Sequence, residues 1–157
     1  METPMPEFVK NMVVKNVADV EDVVKNVDFV FSAVNMPKAE IRTIEEEYAK
    51  TETPVVSNNS AHRWTPDVPM VVPEINPGDV KLHHGIIANP NCSTIITLTA
   101  INALRKLSPI HSMVVSTYQA VSGAGAGGPV ELQNEVDALR DGKAYAPKVF
   151  AHQIAYN

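Results

Sequence analysis

Val27-Asp28-Phe29-Val30-Phe31-Ser32-Ala33-Val34 is an apolar stretch rich in β-branched and aromatic side chains. Such a run predicts a strand buried in a parallel sheet. Pro37 then marks a helix start, and residues 39–50 carry Ile41, Ile44 and Tyr48 at helical spacing. Pro54-Val55-Val56-Ser57 is the next short strand. Strand, helix and strand in that order predict an α/β fold with a doubly wound parallel sheet.

Working outward, residues 12–14 suggest a further strand and residues 17–25 a short helix. Residues 58–85 are rich in Pro, Asn, Asp and His and form a long connection with one apolar patch, Met70-Val71-Val72. A loop of that length inside a compact domain is usually functional. Residues 85–88 are a short strand ending in Asn89-Pro90-Asn91-Cys92. Residues 93–107 follow with a helical face of Ile95, Leu98, Ile101, Leu104 and Leu107, stopped by Ser108-Pro109. Residues 113–121 predict a strand, residues 123–128 a glycine-rich turn, and residues 129–140 a helix with Leu132, Val136 and Leu139 facing inward. No internal repeat is present.

The bulk properties exclude several function classes. The chain has 157 residues, which suits one domain or parts of two. Apolar residues make up 45% and charged residues 20%, so it can build a core and is not a disordered polymer. The formal net charge of −5, with no Lys/Arg-rich run, argues against nucleic acid as a partner. No apolar stretch approaches the roughly 20 residues that span a bilayer, which argues against a membrane role. The start, METPMPEF, lacks the basic and apolar regions of a secretory signal. One cysteine makes no internal disulfide, so a cytoplasmic location is the expectation.

Cys92 is placed where a strand gives way to a helix. Unpaired N–H groups and the dipole at a helix start favour an anion, and the thiolate is the nucleophilic form of cysteine. The same N–H groups can receive an oxyanion. Against this stands the ordinary reading of a lone cysteine as a small buried hydrophobe.

Four motifs decide between these readings. They are Val56-Ser57-Asn58-Asn59-Ser60-Ala61-His62-Arg63, Asp67-Val68-Pro69-Met70-Val71-Val72-Pro73-Glu74-Ile75-Asn76, Asn89-Pro90-Asn91-Cys92-Ser93-Thr94, and Ser116-Thr117-Tyr118-Gln119-Ala120-Val121-Ser122-Gly123-Ala124-Gly125. In that order they resemble the aspartate-β-semialdehyde dehydrogenases, over residues 27–157. The resemblance implies the second half of a Rossmann-like parallel-sheet domain (residues 1–90) joined to the start of an α+β catalytic and dimerisation domain (residues 91–157). It implies NADPH-dependent reduction of aspartyl phosphate: a cysteine thiolate displaces phosphate, the thioester accepts hydride, and the adduct collapses to aspartate semialdehyde. By motif position, Cys92 is the nucleophile and Gln119 orients substrate. Arg63, assisted by Asn91, holds phosphate through its planar fork of donors. Ser32, Ala33, Ser122 and Gly123 lie against NADP. The full-length family is homo-oligomeric.

Plainer readings stand beside these. Arg63 in a loop can be a solvated charge, Gln119 a satisfied buried amide, and Ser32-Ala33 mere turn residues. Gly123-Ala124-Gly125-Ala126-Gly127-Gly128 with Asp141 matches a dinucleotide fingerprint. We discount it, because Asp141 ends a helix rather than the next strand. The five histidines show no HxH or HxxxH spacing, so they are read as surface or loop residues with no metal site. The family's N-terminal glycine-rich loop and its later acid/base histidine and substrate arginine find no match, so a partial chain with negligible turnover of its own is expected. Two alternatives remain. One is a related acyl-phosphate reductase such as N-acetylglutamyl-phosphate reductase, whose Asn-Pro-Gly-Cys-Tyr-Pro pattern Asn91 and Ser93 do not fit. The other is a non-catalytic partial subunit or interaction module.

Overall fold

The computed structural model describes residues 4–157. They fall into two compact units that part between His111 and Ser112. The first unit opens with two short helices, α1 (Glu7–Lys10) and α2 (Val20–Val23), the latter continued by a single 3-10 turn to Asn26. Its sheet has three parallel strands, β1 (Val30–Ser32), β2 (Val55–Ser57) and β3 (Ile86–Ala88), in that spatial order. Helix α3 (Lys38–Lys50) links β1 to β2. This is the α/β class that the strand–helix–strand rhythm predicts.

The register shows how the sheet meets its helix. Val30, Val55 and Ile86 stand in one row, and Ser32, Ser57 and Ala88 stand two residues on. Side chains two apart share a face, so a row of large apolar side chains and a row of small ones lie on the same side. Tyr48 of α3 packs against Val55 and Ile86 together with Val20, and Ile44, Ala49 and Val68 extend this core. Burying Val55 almost completely is worth about 1.5–3 kcal/mol. Gly85 brings β3 past α3: its φ is +101°, and a Cβ there would lie 2.7 Å from the Ala49 Cβ.

Two strand expectations need correction. Residues 12–14 form no strand, and Val14 is 96% exposed. They pair with none of the three strands, so nothing completes a hydrogen-bonding ladder for them. The strand within residues 27–34 forms but is covered on one face only: Val30 and Ser32 face the core, while Phe31 is 74% exposed and stacks edge-on with Phe29 over the uncovered face. The connection 58–85 is more ordered than a loop. Met70 bridges to Ala88, Val71 and Val72 are buried, and Pro77–Leu82 form 3-10 turns. Helix α4 (Cys92–Arg105) follows β3, but only part of its apolar face is covered: Ile95, Leu98 and Ile101 are half-buried, while Leu104 and Leu107 are exposed.

The second unit, Ser112–Asn157, contains no strand among its described residues. The expected strand at 113–121 is an unpaired segment in which Val114 is 98% exposed. A 3-10 turn (Val121–Ala124) leads into helix α5 (Gly127–Arg140). The inward face of α5 also differs from expectation. Leu132, Val136 and Leu139 are half-buried, and the buried side chains are Glu131 and Glu135. These carboxylates are tolerated because backbone N–H groups meet them. Glu131 accepts from Lys148 at 2.6 Å, Val149 at 2.8 Å and Phe150 at 2.9 Å, and Glu135 accepts from Ile154 and Ala155, each at 2.9 Å.

Candidate active site

In an open parallel sheet, chemistry gathers outside the carboxyl ends of the strands. Here those ends are marked by the row Ser32, Ser57, Ala88. One turn of α3 before Tyr48, Glu45 reaches this row and is buried. Its Oε1 accepts from the Ser57 hydroxyl at 2.8 Å and from Asn59 Nδ2 at 3.1 Å. The Asn59 amide also donates to the Ser32 hydroxyl oxygen at 3.0 Å. The other carboxylate oxygen faces His62 Nε2 at 3.7 Å, and His62 Nδ1 lies 3.2 Å from the Thr65 hydroxyl. Arg42, one turn earlier on α3, donates through Nε to the Ala61 carbonyl at 2.8 Å.

A second, more exposed layer lies over the first. The loops leaving β2 and β3 are tied together by Asn89 Nδ2 donating to Asn58 Oδ1 at 2.8 Å. Arg63 spans both loops: its Nε donates to the Asn89 carbonyl at 2.9 Å and its Nη2 to the Asn58 carbonyl at 3.2 Å. Its other terminal nitrogen has no partner among the described residues. Arg63 is therefore an anchored, half-buried cation rather than a free surface charge.

Cys92 is the first residue of α4, exposed and free. Asn91 is the N-cap: its carbonyl accepts from Ile95 at 3.0 Å and its side-chain oxygen from the Ser93 amide at 3.0 Å. The amides of Cys92 and Thr94 have no partner among the described residues. The thiol thus stands at a helix start beside free N–H donors, with the Arg63 tether point, Asn89, three residues earlier.

The remaining expected residues divide between the units. Ser32 is buried at the end of β1 and Ala33 is exposed just beyond it. Gln119, Ser122 and Gly123 belong to the second unit and are exposed. Gln119 donates to the Thr117 hydroxyl at 3.0 Å. The glycine-rich run follows no strand, and Asp141 caps the C-terminus of α5. Gly128 has a packing reason instead, since a Cβ there would lie 2.0 Å from the Val121 carbonyl oxygen.

The sequence reading missed Glu45 and, though it placed His62 in a loop, missed its burial. His62 is in fact buried with Glu45. A signal was available: Glu45 falls four residues after Ile41 and three before Tyr48, on the apolar stripe of α3. The run Glu45-Glu46-Glu47 disguised it as part of a solvated face. Among the described residues, no group of three or more His, Cys, Asp or Glu could hold a metal ion.

Comparison with known proteins fits this geometry. Residues 1–83 match the family model described as semialdehyde dehydrogenase, NAD binding domain, and residues 101–157 match that described as semialdehyde dehydrogenase, dimerisation domain. The chain belongs to the semialdehyde dehydrogenase family. It is 51% identical over 115 residues to the aspartate-semialdehyde dehydrogenase of Aquifex aeolicus, covering 71% of this chain and 34% of that protein. With the Bacillus subtilis aspartate-semialdehyde dehydrogenase it shares 39% over 123 residues, 74% of this chain and 36% of the relative. Among solved structures, aspartate semialdehyde dehydrogenase II from Vibrio cholerae, complexed with ASA, superposes with a TM-score of 0.68 at 33% identity, covering 85% of this chain and 41% of that one. The chain thus spans about a third of the length of the curated relatives it matches.

A nicotinamide dinucleotide is what the matched domain of this semialdehyde dehydrogenase chain implies. Its pyrophosphate needs close backbone approach over glycine, yet the first glycine of the chain is Gly78. The described residues therefore do not fit the pyrophosphate. Among the described residues, no helix is long and apolar enough to cross a membrane.

Proposed function

We propose that this chain carries the acyl-capturing part of an aspartate-semialdehyde dehydrogenase, an enzyme that reduces L-aspartyl-4-phosphate with NADPH in the cytoplasmic synthesis of lysine, threonine, methionine and isoleucine. The observation that carries this reading is Cys92 at the first position of α4, three residues after Asn89, whose carbonyl holds an Arg63 anchored across the loops leaving β2 and β3. The thiolate attacks the acyl carbon: a C–S bond forms, the C–O bond to phosphate breaks, and phosphate departs with the electron pair. Arg63 neutralises the leaving phosphate through its unspent N–H groups, and Asn91 supports it with the Nδ2 that capping leaves free. The unpaired amides of Cys92 and Thr94 receive the acyl oxygen as it gains charge.

Reduced nicotinamide supplies the hydride in the complete reaction, but no step of it follows from the residues present. Ser32, Ala33, Ser122 and Gly123 are the proposed neighbours of NADP, and Gln119 the residue that orients substrate. The division at residue 90 is one of role: dinucleotide side before it, catalytic and dimerisation side after it. The match of residues 101–157 to a dimerisation domain supports homo-oligomeric assembly of the complete enzyme.

Two measurements test the reading. Cys92 should react with iodoacetamide at pH 7 faster than the thiol of an unfolded peptide of the same local sequence. Mixed with NADP⁺, phosphate and aspartate semialdehyde, the chain alone should give negligible reduced cofactor. An alkylation rate no higher than the peptide's removes the nucleophile from the proposal, and robust turnover removes the claim that the chain is only part of a site.

A further inference from the structure

Arg63 owes its place to the loop that carries it, and that loop is gripped from one side of one helix. Arg42 and Glu45, three residues apart on α3, share a face. Arg42 holds the Ala61 carbonyl, while Glu45 holds the Ser57 hydroxyl and the Asn59 amide and confronts His62. The gripped residues 57–62 run directly into Arg63. Glu45 Oε2 and His62 Nε2 are buried without a hydrogen-bond partner. Such groups call for an explanation beyond packing, since an apolar residue at 45 would complete the stripe of Ile41 and Tyr48. Buried charge is weak evidence for stability and is best attested where it fixes a geometry.

We propose that Arg42 and Glu45 are positioning residues for the anion site, setting the height and direction of the Arg63 guanidinium through the 57–62 loop. Neither touches substrate. Both act by fixing Ser57, Asn59 and Ala61, the loop residues that flank Asn58 and lead into Arg63, as supporting partners do around any site that must be held to a fraction of an ångström. The inference rests on the reading of Arg63 as the phosphate ligand.

The test uses the full chain, uniformly labelled with ¹⁵N, and titrates it with inorganic phosphate. The Arg63 Nε–H resonance should be dispersed by its bond to Asn89 and should move on phosphate addition. Glu45→Gln keeps a carbonyl oxygen for Ser57 and Asn59 and should retain wild-type affinity. Glu45→Leu and Arg42→Met should each weaken phosphate binding roughly three- to tenfold, the scale of losing a supporting hydrogen bond, while the amides of β2 keep their dispersion. If Glu45→Leu fails to fold, Arg42→Met, which alters a mostly exposed side chain, decides alone. Wild-type affinity in Arg42→Met, or in a Glu45→Leu that folds, would overturn the inference while leaving the Arg63 reading intact. No phosphate response in the wild type, or phosphate shifts of the Asn58 and Asn89 backbone amides undiminished in Arg63→Met, would overturn both.

Discussion

The two units meet the same demand, burial of an otherwise sociable backbone, by different means. In the first, stretches 30–32, 55–57 and 86–88 lend each other their ladders, and Val55, Ile86 and Tyr48 close over one face. In the second, residues 113–115 (Met, Val, Val) are as strand-prone as any of these, yet they pair with nothing. There the segment 148–155 is held instead, with the N–H groups of Lys148, Val149, Phe150, Ile154 and Ala155 ending on Glu131 and Glu135. Strand propensity describes a fit to a pleated, half-covered surface rather than a property of the residue alone. Where an edge is at hand the stretch becomes a strand; elsewhere side-chain carboxylates can serve as the acceptors instead.

The sharpest way to break this comparison is Gly128→Ala. The added methyl would sit 2.0 Å from the Val121 carbonyl oxygen and 2.9 Å from its carbon, and backbone cannot yield as a flexible side chain can. Overpacking of this kind costs about 3 kcal/mol or more. Hydrogen exchange should show the first turns of α5 and the amides of Lys148, Val149 and Phe150 losing protection. The Asn58 and Asn89 amides, bonded to the carbonyls of Ser32 and Ser57 in the sheet, should keep theirs. Equal loss in both places would show that the units do not stand on separate supports.

What could be read from the sequence follows the same division. Every strand of the sheet and the positions of α3, α4 and α5 were visible, because apolar periodicity reports local burial. Residues 12–14 and 113–121 misled for one reason: a single stretch does not announce whether a partner edge exists. Cys92, Arg63 and Asn91 were visible as members of motifs; Arg63 and Asn91 lie on the loops after β2 and β3, and Cys92 opens α4. What holds them was not visible. Glu45 and Arg42 are tied to Ser57, Asn59 and Ala61 by contacts 12 to 19 residues apart in sequence. Charged side chains on a helix normally signal solvent, so only the fold reveals which ones turn inward.

Acid should separate the units next, with a smaller effect. Burial raises the Glu131 carboxyl, but the amides of Phe150, Val149 and Lys148 and the charge of Lys148 pull it further down, so it lies below the ordinary glutamate range. A group with a depressed folded pKa contributes stability above its unfolded value, about 4.3, and loses it as pH falls through the folded value. Protection factors at Lys148, Val149 and Phe150 should therefore be full near neutrality and fall below about pH 4. The Val55 amide, which donates to the Gly85 carbonyl under an apolar cover, has no such dependence built into its bond. Glu131→Gln should flatten the acid limb at 148–150, since an amide oxygen accepts with no charge to lose.

Tyr48→Phe asks whether the apolar support of the first unit is as purely apolar as the contrast implies. The ring is buried against Val55 and Ile86, but its hydroxyl donates to the Val17 carbonyl at 3.0 Å, pinning the segment that leads into α2. Phenylalanine keeps the ring and removes only that bond, at a cost of about 0.5–1.5 kcal/mol. The loss should appear as faster exchange at Asp22 and Val23, whose amides end on Asp19, with the sheet amides little changed. If the substitution is neutral, packing of Val17, Val20, Val23 and Val24 alone holds this segment. If the sheet loosens too, the tyrosine is a polar strut for the whole unit, and the first unit depends on a side-chain hydrogen bond much as the second depends on its glutamates.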